Sequence, residues 1–124
     1  MTRHFMHTLL THHIIRLAAG LSVIAVAILI GVYSVIPAPD VPAPQVSDKL
    51  KHLAAYLALS VPLSISLGPR RSLQTFMLVV SYGIFMETAQ AMGSAGREAS
   101  LFDILANITG TSLGIVTIRL ARGC

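Results

Sequence analysis

From Leu17 to Ile36 the chain reads LAAGLSVIAVAILIGVYSVI, twenty residues without a charge. A helix of about 20 apolar residues spans the hydrocarbon core of a bilayer. The run is longer than the apolar centre of a signal peptide, roughly 7–15 residues, and proline-rich sequence follows it, so a retained span is expected. Three further apolar segments follow, at about 50–68, 72–92 and 101–120. Their separators carry turn chemistry: Pro37, Pro39, Pro42 and Pro44, then Gly68-Pro69, then Gly93 and Gly96. Of the 124 residues 54% are hydrophobic and 11% charged, against about 25% charged in a soluble domain. A chain this short cannot hide so much apolar surface from water. The expected fold is all-α, a polytopic bundle of four transmembrane helices over residues 17–124, preceded by a loosely ordered N-terminal tail, residues 1–16. Ser47 is placed to cap the second helix, with Asp48 suited to its positive end, and Pro62 should kink that helix.

Several function classes fall away. The net charge of +4 comes from scattered Lys and Arg with no basic stripe interleaved with aromatics, which argues against nucleic acid. The single cysteine, Cys124, allows no intrachain disulfide. His4, His7, His12 and His13 lack carboxylate or cysteine company and read as part of the tail rather than as a metal site. No GxSxG elbow, phosphate-binding glycine loop or HExxH pair occurs.

Orientation follows the positively charged flanks. Arg3, Arg16, Arg70, Arg71, Arg119 and Arg122 fall on one side, and Lys49, Lys51 and Arg97 on the other. This bias places both termini in the cytoplasm and the first and third loops outside. Lys51 reads as a charge snorkelling into the interface beside the second helix.

Polar residues inside the spans converge on the outer side. Asp48, His52 and Tyr56 fall in one quadrant of the second helix, beside Lys49. Glu87 and Gln90 lie one turn apart near the end of the third. Ser100, Asp103 and Asn107 open the fourth, on a stripe shared with Gly110 and Gly114, and Arg97 stands just before them. A charge at the centre of a span costs about 2.5–3.5 kcal/mol on insertion scales, so Glu87 and Asp103 need a partner or a polar cavity. Gly110 and Gly114, with Ala106, form a small-xxx-small pattern that turns the Asp103 face toward protein. Asp48, Glu87 and Asp103, with His52, also form a set of oxygen and nitrogen donors for a divalent metal.

The order Asp48-Lys49-x-x-His52, Glu87-x-x-Gln90, Arg97-x-x-Ser100-x-x-Asp103-x-x-x-Asn107-x-x-Gly110 resembles the VanZ-like family of small bacterial membrane proteins. The likeness covers about half the chain, residues 47–114. It implies a multi-pass protein of the bacterial cytoplasmic membrane, with a link to glycopeptide (teicoplanin) resistance, and it carries no settled activity. Ala91 to Gly96 departs from the pattern, being small where relatives often have bulkier residues.

Three readings stay open. The polar residues could form a binding site for the headgroup of an anionic envelope lipid or its precursor, with Lys49 and Arg97 as cationic donors. They could form the active site of a phosphatase or transferase acting on a lipid-linked phosphate, with His52 as acid/base and the carboxylates, Asp48, Glu87 and Asp103, holding a metal or orienting water. They could instead fix helix packing in a structural or accessory protein, alone or as an oligomer. The orientation is testable directly. In a Cys124→Ser background, cysteines replacing Asp40 or Ala95 should react with an impermeant thiol reagent on intact cells, and one replacing Arg70 should not.

Overall fold

Long apolar runs without internal water must satisfy their own backbone, and helices do so within one segment. The computed structural model, which describes residues 2–36, 47–93 and 100–122, is all-helical. Helix α1 spans Thr2–Val35, α2 Asp48–Leu67, α3 Ser72–Met92 and α4 Leu101–Ala121, with a single 3₁₀ turn, Pro69–Arg71, between α2 and α3. Three of them (α1 over His12–Val35, α2 and α4) are long and apolar enough to cross a membrane. Helix α3 has comparable length, 21 residues, but Gln74, Glu87 and Gln90 lower its apolarity.

The N-terminal segment differs from the expected loose tail, because α1 begins at Thr2 rather than near Leu17. No proline or glycine precedes Gly20, so a helix nucleated by the apolar run extends at little cost. At about 1.5 Å per residue, its 34 residues reach roughly 51 Å, well beyond the hydrocarbon thickness. Arg16 marks where α1 meets the end of its neighbour: its Nε donates to the Ser66 carbonyl at 2.8 Å, in the last turn of α2. That carbonyl is one of the acceptors a helix end leaves open, and a cation suits the negative pole there.

Helix α2 is central. It packs on α1, α3 and α4, whereas α1 and α4 make no contact with each other among the described residues. Helices α2 and α4 run parallel and very close. A Cβ added at Gly110 would lie 2.2 Å from the Leu53 carbonyl oxygen, and one at Gly114 would lie 1.9 Å from Ser60 Oγ. Helix α3 runs antiparallel to both and presents one stripe to them: Thr75, Val79, Gly83, Glu87 and Gln90 are all buried.

The distribution of side chains is inverted relative to a water-soluble bundle. Among the described residues the buried set contains Ser34, Ser60, Ser64, Thr75, Glu87, Gln90, Asp103, Asn107 and Thr111, against only Ala19, Tyr56, Leu59, Val79 and Ile115 of the apolar residues. Leu17, Leu21, Ile24, Ile28, Phe85, Phe102 and Leu120 are exposed. Water would penalise both halves of that arrangement, and lipid favours both. Exposed hydroxyls behave accordingly: Ser22, Thr88, Thr109 and Thr117 each donate to the carbonyl four residues back in their own helix.

The small-residue stripe generates a stability prediction. Gly110→Ala meets a backbone oxygen that cannot move aside, and should cost about 1–3 kcal/mol, the usual range for overpacking. Gly20→Ala meets only Ser66 Oγ at 3.5 Å, an ordinary contact, and should be neutral. Thermal unfolding in detergent micelles checks both.

Candidate functional site

The site forms where α2 and α4 begin and α3 ends. Ser100 opens it: it is the N-cap of α4, and its hydroxyl accepts from the Asp103 backbone N–H at 3.4 Å. The backbone N–H of Ser100 in turn donates to Glu87 Oε1 at 2.8 Å. A carboxylate on α3 thus holds the start of α4. Ser47 occupies the corresponding position in α2 but makes no side-chain capping bond, so the cap expected there is not formed. The proline-bearing residues before it lie outside the described residues.

Asp103 faces α2. Lys49 Nζ lies 2.7 Å from its Oδ1, and His52 Nε2 lies 3.5 Å from its Oδ2. On the other side of the imidazole, Nδ1 is 2.9 Å from Asn107 Oδ1. With the amide oxygen turned to the ring, Nδ1 is the donor. Donor atoms of His52, Glu87 and Asp103 all lie within 4.8 Å of one another. The close approach at Gly110 brings α2 near enough for these contacts. Gly83 opens the third side, because a Cβ there would lie 3.0 Å from Asn107 Nδ2 and 3.1 Å from the ring of Tyr56. Glu87 Oε2 and Asn107 Nδ2 are buried without a protein partner.

A second space adjoins this cluster. A groove of about 380 Å³ runs between α1 and α2. Val26, Leu29, Ile30 and Tyr33 form its α1 wall, and Ala55, Tyr56 and Ala58 its α2 wall. Its polar end holds Ser34, Asp48, Lys51, His52 and Gln90. His52 borders both spaces.

The expected site residues therefore divide. Lys49, His52, Glu87, Ser100, Asp103 and Asn107 meet in one cluster, with Lys49 exposed at its edge, whereas Asp48, Tyr56 and Gln90 face the groove, with His52 between. Asp48 is not among the converging metal donors. Arg97 lies outside the described residues. Gly110 and Gly114 lie against α2. Lys51, read from the sequence as a charge snorkelling into the interface, is partly buried and lines the groove. Its spacing from Asp48 and Ala55, three and four residues, puts the three on one helix face. Ser34 and Gly83 also escaped notice. Gly83 stands one turn before Glu87 on the same face, whereas Ser34 is one small hydroxyl in a long apolar run.

No family model, curated protein or solved structure matches this chain. The VanZ-like resemblance accordingly rests on the motif residues alone.

The Glu87–Ser100 bond is separable from the charge of Glu87. In Glu87→Gln the amide oxygen can still accept from Ser100, so unfolding in detergent should stay near the parent. Glu87→Leu leaves a part-buried N–H without its acceptor and should cost about 1–3 kcal/mol. Equal loss in both variants would show that charge, not the capping bond, holds α4.

Proposed function

We propose that this chain is a four-span, VanZ-like protein of the bacterial cytoplasmic membrane with both termini in the cytoplasm. It binds or handles an anionic envelope lipid, or a lipid-linked precursor, with its headgroup at the outer face. Under this reading α3 is the fourth span, with its buried stripe Thr75–Gln90 turned inward and Leu73, Met77, Leu78 and Phe85 exposed toward lipid. The described basic residues support the orientation: Arg16, which contacts the end of α2, shares its side of the bundle with Arg70, Arg71, Arg119 and Arg122, opposite Lys49 and Lys51. The association with glycopeptide resistance is carried by the resemblance alone.

One observation carries the ligand class. The groove is apolar along α1 and α2 and ends in Lys51, His52, Asp48 and Gln90. An acyl or isoprenoid chain suits the long wall, and an ionised head suits the end. Lys49 is already engaged by Asp103, which leaves Lys51 as the cationic donor nearest the groove, with Arg97 as a further candidate. A second reading, an enzyme acting on the head of such a lipid, is favoured by His52. It is the residue common to the groove and the carboxylate cluster, where it could exchange a proton with a bound headgroup.

The chain contains no Trp, so Ala58→Trp introduces a single reporter in the groove wall. Anionic lipids brominated along the acyl chain should quench it more than brominated neutral lipids at equal mole fraction, and Lys51→Ala should remove the difference. Equal quenching by both classes would show plain lipid contact and sink the binding reading.

A further inference from the structure

His52, Glu87 and Asp103 share a pattern that a purely structural cluster has no need of. Each ties one atom to a partner from its own chain and has no hydrogen-bond partner for the other among the described residues. Glu87 engages Ser100 N–H through Oε1, while Oε2 is buried without a donor. Asp103 engages Lys49 through Oδ1, and among the described residues Oδ2 meets the imidazole at 3.5 Å. His52 donates from Nδ1 to Asn107, which leaves Nε2 facing that carboxylate oxygen. A lone pair opposite an anionic oxygen is repulsive unless a cation stands between them, either a second ring proton or a metal ion.

The tied atoms match the outer shell of a metal centre, where a ligating histidine donates its other N–H to an oxygen and ligating carboxylates are themselves hydrogen-bonded. We propose that His52, Glu87 and Asp103 bind one divalent transition-metal ion of the zinc type, one donor from each of three helices. Donor atoms within 4.8 Å of one another enclose a point no more than about 2.8 Å from each, so a shift of under ~1 Å reaches the 2.0–2.2 Å of Zn–N and Zn–O bonds. Glu87 is 2% exposed, and a carboxylate oxygen that deep without a partner is costly. With Lys49 already beside Asp103, a bound dication more than offsets the one negative charge that remains. The nitrogen donor favours zinc or cobalt over manganese, magnesium and calcium. Three protein ligands also leave a coordination position open beside the groove that His52 borders, where a phosphate oxygen of the proposed lipid would fit. This deepens the amphiphile reading, but the metal can be measured without any lipid ligand.

The test uses the full chain without a polyhistidine tag, with His4, His7, His12 and His13 changed to Gln so that they cannot contribute. In detergent this protein should bind one Co²⁺ per chain, with visible d–d bands, and Zn²⁺ but not Mg²⁺ should displace it. X-ray absorption of the zinc form should give one nitrogen with an otherwise oxygen shell. His52→Ala and Asp103→Asn should abolish stoichiometric binding, and Asn107→Ala should weaken it by about 10–100-fold, as loss of an outer-shell partner does. Absence of cobalt binding, a shell lacking nitrogen or containing several, or stoichiometric binding that survives both ligand substitutions would overturn the proposal. Should the variants fail to fold, the cobalt titration and the zinc absorption spectrum of the unaltered site decide it. Stoichiometric metal with no preferential quenching at Ala58→Trp would leave the centre standing and remove the lipid.

Discussion

The approach of α2 to α4 at Gly110 sets everything else. With a backbone carbonyl where a side chain would otherwise stand, two parallel helices come within reach of short polar side chains. His52 can then meet both Asp103 and Asn107, and Lys49 can reach Asp103. In lipid there is no hydrophobic force to press helices together, so packing of small residues and interhelical polar contacts must do it. Here the two are stacked along one stripe of α4. The glycines sit deeper in the bundle, and the ionisable groups sit at its mouth.

That mouth is organised from three directions. Helix α3 contributes a carboxylate that holds the first turn of α4, α4 contributes Asp103 and Asn107, and α2 contributes the two groups that meet them. Each contact is intersegmental, so none forms until the helices have associated. This suits a two-step assembly in which spans insert first and polar groups find one another afterwards. It also explains why charged residues are tolerated at this depth: each is satisfied on at least one side by another helix.

Much of this was legible from residue spacing. The four helices follow from apolar length and turn residues, and three of them both begin and end within about two residues of where the sequence placed them. The inward stripe of α4 was visible because polar and small residues repeat at helical intervals. What spacing could not supply is the relative rotation of neighbours. Asp48, Lys49, Lys51 and His52 stand within five positions, and only the packing of α1 against α2 sends Lys51 to one space and Lys49 to the other. The extent of α1 was missed for a different reason: polar residues before Leu17 look like a tail, yet nothing among them stops a helix.

The groove has a further consequence. Leu29, Tyr33 and Ala58 in its walls are also exposed on the outside of the bundle, so the space opens sideways between α1 and α2. A guest whose tail already lies among lipids enters by lateral diffusion, without first dissolving in water. Occupancy then follows the guest's mole fraction in the leaflet rather than its aqueous concentration, and a weak intrinsic affinity suffices wherever that fraction is high. Selectivity falls to the polar end, because every neighbouring lipid offers the walls the same hydrocarbon.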